Sequence, residues 1–299
     1  MRISGSTFTF MGLPLEQCMK KLKSLGFSLA DLYVHWDLGK GHFHPLDVMR
    51  EPLAVLEAVE QAEASSGVRF TAMDLGTEQF SASERGQVEA ACKLCRRVSI
   101  PVLNILCGKR EARIEMRRIR DFVSIAREHG LVLSVETTGG CIFMAPSEAL
   151  ELVGDAPSLK LTLDTGHLLS NGIPQAEWAP LLPYAAHVHL KDAGTDLRHH
   201  EVPFGTGALD FTGLLDSLRA ARYDGALTVE YLGPRSQDAV RFDPEPEVVK
   251  VLAAWGKWLY SSPGNAGTGS ADPVGAGDAG AGPAGAGPSS APDNTFHRA

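Results

Sequence analysis

Four short apolar segments in the second half of the sequence each end on a side chain that can bind a metal ion. Because side chains alternate along a β-strand, the last residue of each segment shares a face with the polar residue two positions earlier. The residue between them is apolar and suits packing against helices. The segments are Ser134-Val135-Glu136, Thr162-Leu163-Asp164, His187-Val188-His189 and Thr228-Val229-Glu230.

The spacing of these terminal residues matches a repeated strand–helix unit. Glu136, Asp164, His189 and Glu230 follow one another at intervals of 28, 25 and 41 residues, and one βα unit of a (β/α)8 barrel occupies about 30 residues. Neighbouring tips are therefore one unit apart, with one longer loop. Closing the barrel would gather all four side chains at its C-terminal mouth, where such barrels carry their active sites.

Three carboxylates and one imidazole that meet without a basic partner predict a divalent metal ion. The carboxylates would repel one another and burial would raise their pKa values, and a cation removes both effects. The donor set suits Mn²⁺, Mg²⁺, Co²⁺, Fe²⁺ or Zn²⁺, with Mn²⁺ favoured. The alternative is that these acids cap strands or pair with Lys and Arg of the loops, but four on consecutive strands favour the metal.

A repeating unit surrounds these tips: an amphipathic helix, a glycine and a short apolar run. Leu15, Cys18 and Leu22 follow the helical period, and this helix ends at Gly26, where a residue without a Cβ atom is favoured. Helices alternating with strands indicate a parallel sheet. Eight strands are predicted, at Arg2–Phe8, Leu29–His35, Arg69–Leu75, Val102–Cys107, Val132–Glu136, Leu159–Asp164, Ala186–Leu190 and Ala226–Tyr231.

The sequence of the first strand–helix turn distinguishes two possible folds, a closed barrel and a doubly wound dinucleotide-binding sheet. The latter usually carries G-x-G-x-x-G after its first strand, whereas this chain has Thr7-Phe8-Thr9-Phe10-Met11-Gly12. We therefore predict a single-domain α/β protein, a (β/α)8 TIM barrel over residues 1–260. In residues 261–299, 28 of 39 are Gly, Ala, Pro or Ser, which predicts a disordered C-terminal tail.

Composition argues against several classes of partner. The net charge of −8 disfavours nonspecific nucleic-acid binding, which depends on neutralising phosphates. No run approaches the roughly 18 apolar residues that span a membrane, and no signal peptide is expected after Met1.

Five cysteines, an odd number without the spacing of a disulfide framework, predict a reducing, cytoplasmic location. Cys92 and Cys95 lie within a helical pattern and are expected to pack.

These motifs resemble those of the xylose isomerase-like TIM-barrel superfamily, the sugar phosphate isomerase/epimerase group. The resemblance spans about residues 1–260 and is strongest from 131 to 232. It implies that Glu136, Asp164, His189 and Glu230 are metal ligands and that His167 contacts a substrate oxygen. The matching segments are Val135-Glu136, Leu163-Asp164-Thr165-Gly166-His167, His187-Val188-His189-Leu190-Lys191-Asp192, Val202–Phe211 and Tyr223–Glu230.

Three positions depart from the pattern of that family. Thr206 stands where the G-x-G loop often has Glu, and Asp31 stands where the second strand more often ends in Glu. Ketose 3-epimerases of the family carry an arginine six residues after the metal histidine, and here that position is Thr195. Arg198 would have to bind the substrate in its place.

The predicted site suits proton abstraction beside a carbonyl. A metal ion that chelates the carbonyl and adjacent hydroxyl oxygens of a polyol ketone acidifies the intervening C–H and stabilises the enediolate. Glu136 and Glu230 are the predicted acid/base pair on opposite substrate faces. Lys191 either neutralises a developing oxyanion or is a solvated lysine beside Asp192.

Two further histidines have both a structural and a functional interpretation. His187, two residues before His189, is expected to be a hydrogen-bonded residue deeper in the barrel. His35 lies beside Trp36 after the second strand, where it is either a substrate contact or an ordinary loop histidine.

The sequence therefore predicts a metal-dependent isomerase or epimerase of a small sugar or cyclic polyol, and leaves a homo-oligomer open. A dehydratase of an inosose- or dehydroshikimate-like ketone is the first alternative, because it begins with the same proton abstraction. An AP-endonuclease-like hydrolase needs histidines at the tips of strands three and four, and neither tip has one. A non-catalytic partner subunit ranks last, because all four predicted ligands are present.

Overall fold

Eight parallel strands close into a barrel in the computed structural model, which describes residues 1–37, 41–232 and 242–261. The strands pair in chain order and the last pairs with the first. The predicted (β/α)8 TIM barrel is thereby confirmed. The strands are β1 (Arg2–Ser6), β2 (Leu29–His35), β3 (Arg69–Gly76), β4 (Val102–Ile105), β5 (Val132–Glu136), β6 (Lys160–Asp164), β7 (Ala185–Leu190) and β8 (Ala226–Val229).

Helices lie between successive strands, as parallel crossovers require. The α-helices of the described residues are α1 (Leu15–Ser24), α2 (Pro45–Arg50), α3 (Pro52–Ser66), α4 (Glu84–Arg97), α5 (Ala112–Glu128), α6 (Pro146–Asp155), α7 (Thr165–Ser170), α8 (Phe211–Ala220) and α9 (Pro244–Ser261). Each long helix buries one apolar face; in α5 that face includes Met116, Ile119 and Phe122. Burial of these faces against the strands holds the barrel and fixes the direction of each strand tip.

Strand ends differ from the prediction where a neighbouring turn begins. β1 ends at Ser6 and not at Phe8, because the Ser6 hydroxyl accepts a hydrogen bond of 3.1 Å from the Phe8 N–H and caps a 3-10 turn. β8 ends at Val229, so Glu230 is the first residue of the following loop. Shifts of one or two residues are ordinary at element ends and leave the inward-facing positions unchanged.

The barrel interior contains a layer of paired polar side chains. His187 Nε2 lies 2.5 Å from Asp31 Oδ2 and 2.9 Å from Thr228 Oγ1. Across the barrel, Ser134 Oγ lies 2.8 Å from Thr162 Oγ1. All five side chains are buried, and these hydrogen bonds offset the cost of removing their polar atoms from water. His187 is therefore the hydrogen-bonded inner residue that the sequence predicts. We refer to Asp31, His187 and Thr228 as the barrel floor.

The cysteines divide into a packed group and a linked pair. Cys92 and Cys95 are buried thiols on α4, as predicted. Cys107 and Cys141 form a disulfide between the loops after β4 and β5, with Cα atoms 5.5 Å apart, a normal separation for such a bond. The spacing of the cysteines did not predict this pair, which is separated by 34 residues in the chain. The cytoplasmic location stays a prediction.

The compact barrel unit ends within the last helix, α9. Met1–Trp258 form one compact unit, and a second unit begins at Leu259. The predicted domain limits, 1–260 and 261–299, stay a prediction, because the predicted disordered tail lies outside the described residues beyond Ser261. None of the helices in the described ranges combines the length and apolar character needed to cross a membrane.

Candidate metal centre

The four predicted ligands come together at the C-terminal mouth of the barrel. Glu136, Asp164 and His189 stand at or near the ends of β5, β6 and β7, and Glu230 directly follows β8. One ligand atom from each of the four lies within 4.8 Å of the others. All four side chains are buried. The strand alternation that placed them on one face in the sequence also places them around one point in space. We refer to these four residues as the mouth quartet.

His189 sits at the centre of this quartet, and its ring forms no hydrogen bond with the described residues. Its Nδ1 atom lies 3.4 Å from Glu230 Oε2, 3.5 Å from Glu136 Oε1 and 3.8 Å from Asp164 Oδ2. In the described ranges neither ring nitrogen has a hydrogen-bond partner, although the side chain is fully buried. Leaving such atoms unsatisfied costs about 1–3 kcal/mol each.

The quartet fits a divalent metal ion. Ligand atoms about 2.0–2.2 Å from a tetrahedral metal are separated from one another by about 3.4 Å. The three distances from His189 Nδ1 are close to that separation, and an ion between these atoms would satisfy the orphaned nitrogen. Three carboxylates and one imidazole form a donor set for Mn²⁺, Mg²⁺, Co²⁺, Fe²⁺ or Zn²⁺.

Lys191 supplies a basic partner that the sequence reasoning did not find. Its side chain is 2% exposed, and its Nζ lies 2.7 Å from Asp164 Oδ2 and 3.0 Å from Glu230 Oε2. The expectation that the carboxylates lack a basic partner was wrong, and so was the alternative of a solvated lysine. Gly166 makes room for the lysine stem, because a Cβ atom there would lie 2.6 Å from Lys191 Cγ. One ammonium for three carboxylates leaves the cluster negative.

The carboxylates of the quartet differ in acidity. Burial raises the pKa of Glu230 to about 7, against the smaller lowering effects of His189 and Lys191. Burial also opposes ionisation of Asp164, but Lys191 and then His167 hold the pKa of Asp164 well below its ordinary value. Glu230 is therefore the carboxylate that most readily takes up a proton near neutral pH.

Asp74 and Asn104 belong to the same cluster and were not identified as site residues from the sequence. Asp74 Oδ1 lies 3.3 Å from His189 Nε2. The Asn104 amide donates to Asp74 Oδ1 at 2.7 Å and to Glu136 Oε2 at 3.3 Å. The signal was present in the sequence: each is a polar residue flanked by apolar ones, Met73 and Leu75 or Leu103 and Ile105, inside a strand. A carboxylate behind a metal histidine orients its ring.

Aromatic residues of the turn after β1 and of β2 line one side of the mouth. The Phe8 and Tyr33 rings stack with centroids 4.3 Å apart. Burial, and then the charges of Glu230 and Glu136, raise the pKa of Tyr33 well above its ordinary value. Tyr33 therefore lies within electrostatic reach of the quartet as a neutral phenol, a position that the sequence reasoning did not assign to it.

The remaining predicted substrate contacts lie at different depths. His167 is half-buried on α7, and its backbone N–H donates to Asp164 Oδ1 at 2.8 Å. His35 is buried at the end of β2 and accepts a hydrogen bond at Nδ1 from Asp37 N at 3.0 Å. The Arg198 side chain is 86% exposed and pairs with Asp196 at 3.5 Å, so in this structure it points away from the quartet.

Asp192 organises the long loop that follows β7. Its two carboxylate oxygens accept hydrogen bonds of 2.8 to 3.1 Å from four backbone N–H groups, those of Ala193, Gly205, Gly207 and Leu209. Thr206, at the position where the family often has Glu, is exposed, and its hydroxyl donates to the Pro203 carbonyl at 2.7 Å. The turn that contains Thr206 is therefore fixed by the Asp192 carboxylate and not by the Thr206 side chain.

A second group of possible ligands, Asp31, His187 and His189, also lies within 4.8 Å. Asp31 is in the middle of β2 and not at its end. The 2.5 Å hydrogen bond between Asp31 Oδ2 and His187 Nε2 occupies both atoms. Two ligands of one ion, each about 2 Å from it, lie about 3 Å apart. The shorter Asp31–His187 distance therefore indicates a hydrogen-bonded pair and not a second metal site.

Comparison with known families gives one match over most of the chain. The profile of the family described as Xylose isomerase-like TIM barrel matches residues 19–258. The match includes all members of the mouth quartet and every strand except β1.

Two curated relatives match this chain over different lengths. An uncharacterized protein of Methanocaldococcus jannaschii is 32% identical over 133 residues, 41% of this chain and 44% of the relative, so the match spans less than half of either protein. L-ribulose-5-phosphate 3-epimerase of Shigella sonnei is 26% identical over 283 residues, 86% of this chain and 94% of the relative.

Solved structures of low sequence identity share the fold. The probable 3-DHS dehydratase of Bacillus anthracis aligns with a TM-score of 0.65 at 18% identity, over 85% of this chain and 99% of that one. A xylose isomerase-like TIM barrel protein of Mycobacterium smegmatis, in complex with magnesium, aligns with a TM-score of 0.66 at 15% identity, over 85% and 97%.

Proposed function

The chain belongs to the xylose isomerase-like TIM-barrel family, and we propose that it is a divalent-metal-dependent isomerase or epimerase of a sugar or related polyol ketone. The observation that carries the proposal is the environment of His189, whose orphaned Nδ1 faces three carboxylates at 3.4 to 3.8 Å. The Shigella sonnei relative, a sugar phosphate 3-epimerase by name, supports the reaction class.

Glu136, Asp164, His189 and Glu230 are the residues that would hold the ion, for which Mn²⁺ is our favoured candidate. The ion would supply Lewis-acid polarisation of a substrate carbonyl and its neighbouring hydroxyl. The cytoplasmic location and a homo-oligomeric state remain predictions beside this proposal.

Glu230 is the proposed proton acceptor. Without a metal ion, burial raises its pKa to about 7, in the range where a general base can work in neutral solution. Ligation lowers the basicity of a carboxylate, so the proton must go to an oxygen that is only weakly held. Glu230 Oε1 is such an atom, since among the described residues its one hydrogen bond is a 3.4 Å contact from Ser6 Oγ.

Glu136 is the proposed partner that donates a proton, taken up from solvent, to the other face of the substrate carbon, while Glu230 releases the abstracted proton to solvent. Glu136 stands at the end of β5, three strands around the barrel from β8, and so approaches a substrate at the mouth from another side. Lys191, between Asp164 and Glu230, would stabilise negative charge that develops on the substrate oxygen. His167 and His35 are proposed hydroxyl contacts. The exposed Arg198 would reach a substrate only after its loop moves.

The test is metal analysis of the purified full chain, followed by proton NMR in D₂O with a panel of ketoses, inososes and cyclic ketones. We expect one divalent ion per chain and deuterium incorporation beside the carbonyl of at least one ketose, without loss of water. Glu230→Gln should abolish this exchange, whereas Glu177→Gln, the same change at an exposed site, should not. A metal-loaded protein that exchanges no proton in the panel would contradict the proposal.

A dehydratase is the second candidate, because the fold is also that of the probable 3-DHS dehydratase and Thr195 replaces the arginine of the family's ketose 3-epimerases. Both reactions begin with the same proton abstraction, and a dehydratase then loses the β-hydroxyl group. A new enone absorbance in the same panel would identify the dehydratase. Deuterium exchange with retention of every hydroxyl would exclude it.

A further inference from the structure

A cavity lies beside the metal centre at the same end of the barrel. It has a volume of about 510 Å³ and lies between the loops that follow β3, β4 and β5. Two of its walls are joined by the Cys107–Cys141 disulfide. Lys109 and Arg110 contribute the charged groups of its lining, which contains no carboxylate. The cavity is therefore cationic in a chain whose net charge is −8.

Neither cation has a counter-ion among the described residues. Lys109 makes no ion pair, and its side chain lies across Gly140, where an added Cβ atom would be 2.8 Å from Lys109 Cε and 3.0 Å from Nζ. A side chain at position 140 would displace the lysine. The Arg110 guanidinium lies 4.3 Å from the centroid of the Phe80 ring, a contact that fixes its position and leaves its N–H donors available.

Backbone and hydroxyl donors lie beside these cations. Within the described ranges, the N–H groups of Gly139 and Gly140 donate to no acceptor, and the Thr138 hydroxyl has no partner. Gly140 has a φ of +82°, a left-handed conformation of the type found in the concave backbone turns that bind anions. Lys109 Nζ, close to Gly140, adds a full charge to these dipoles.

The cavity lies within reach of a substrate at the metal centre. Thr138 is two residues after Glu136 in the chain, and Gly140 is four residues after it. Four extended residues span at most about 14 Å. The Thr138 N–H donates to the Glu136 carbonyl at 2.9 Å, so the chain turns here and Gly140 lies closer to Glu136 than that. His167 forms the boundary between the quartet and the glycine turn, since its Nδ1 is 3.5 Å from the position of a Cβ atom on Gly139.

We propose that Lys109, Arg110 and the Gly139–Gly140 turn bind the phosphate group of a phosphorylated sugar whose carbonyl lies at the metal centre. The inference rests on the proposed function and names its substrate class. A phosphate monoester carries about −1.5 to −2 charges at neutral pH and three acceptor oxygens, which matches two cations and adjacent N–H donors. A carboxylate has the same kind of chemistry but carries a single charge, and leaves one cation unpaired.

The experiment compares the metal-loaded wild-type chain with Lys109→Gln/Arg110→Gln. Calorimetry at low ionic strength measures binding of inorganic phosphate and, separately, of acetate. We expect the Kd of phosphate to rise at least tenfold in the double variant, since charge-assisted hydrogen bonds are the strong ones. The matched control is Lys23→Gln/Arg127→Gln, which removes two exposed cations near the ends of α1 and α5, at the opposite end of the barrel. It should bind phosphate like the wild type.

Turnover provides a second readout. The ratio of kcat/KM for a ketopentose phosphate to kcat/KM for the same free ketopentose should fall at least tenfold in the double variant. Equal phosphate binding by wild type and double variant would overturn the inference, as would acetate binding as tightly as phosphate. Loss of phosphate binding in a protein that turns over neither ketose would instead support the anion site and refute the proposed function.

Discussion

His187 and His189 are two residues apart on β7, face the same side of the strand and are both buried, yet their surroundings are opposite. In the barrel floor, His187 is hydrogen-bonded to Asp31 and Thr228. In the mouth quartet, the ring nitrogens of His189 have no hydrogen bond to any residue that the structure describes, although four carboxylates approach them within 3.8 Å. Satisfied polar groups stabilise a fold, whereas a concentration of unsatisfied ones indicates a bound ligand.

The largest effect expected from this contrast is on metal affinity. His189→Gln should lower the affinity for the divalent ion at least 1000-fold, because it removes the only nitrogen ligand of the quartet and the group around which the three carboxylates are arranged. The measurement is competition against a chelator of known affinity. His187→Gln, the matched change in the floor, should alter the affinity less than tenfold. Similar losses in the two variants would abolish the distinction between floor and mouth.

Folding stability should show the reverse order. His187→Leu removes the 2.5 Å partner of the buried Asp31 carboxylate. The hydroxyls of Thr71, at 2.9 Å, and of Thr228 remain as hydrogen-bond partners of this carboxylate. Breaking one side of a buried pair costs about 3–5 kcal/mol, so the free energy of unfolding, measured in urea on the metal-free protein, should fall by about 3 kcal/mol. Adding Asp31→Asn to this variant should recover part of the loss. A fall below about 1 kcal/mol would mean that the floor pair is not structural.

The quartet could be predicted from the sequence because its members occupy regularly spaced positions in a repeated strand–helix pattern. Alternation along strands and the interval between tips together specify which side chains share the mouth. Lys191 was named as a candidate site residue, but its pairing with the carboxylates was missed. It lies one residue past the end of β7 at Leu190, where alternation no longer constrains a side chain. Asp74 and Asn104 face inward by the same alternation. They were overlooked because the prediction considered only strands that end on a possible ligand, and β3 and β4 do not. The Cys107–Cys141 contact depends on the conformations of two loops, and these cannot be predicted from the periodicity of the sequence.

Asp74 gives a smaller and more specific test of the mouth. Asp74→Asn keeps the size of the side chain and removes the charge that faces His189 Nε2 at 3.3 Å. Partners behind a metal histidine typically change metal affinity 10- to 100-fold, and we expect a loss in that range. The control is Asp47→Asn on α2. An unchanged affinity in Asp74→Asn would mean that the ring of His189 is positioned by the quartet alone.

The smallest expected effect is a dependence of metal-free stability on pH. Burial raises the pKa of Glu230 to about 7, above its ordinary value of 4.5, so the native state holds this proton in a range where the unfolded chain has lost it. The contribution is fully present below about pH 4.5 and is lost as the pH rises through about 7. Thermal unfolding in the presence of a chelator should therefore show less stability at pH 8 than at pH 6, by on the order of 1 kcal/mol. Glu230→Gln has no such proton and should lose that part of the slope, whereas an identical slope in both proteins would assign the titration to another residue. With the metal ion bound, the charged Glu230 carboxylate has a partner at the mouth. The difference in unfolding free energy between wild type and Glu230→Gln should then reverse in sign.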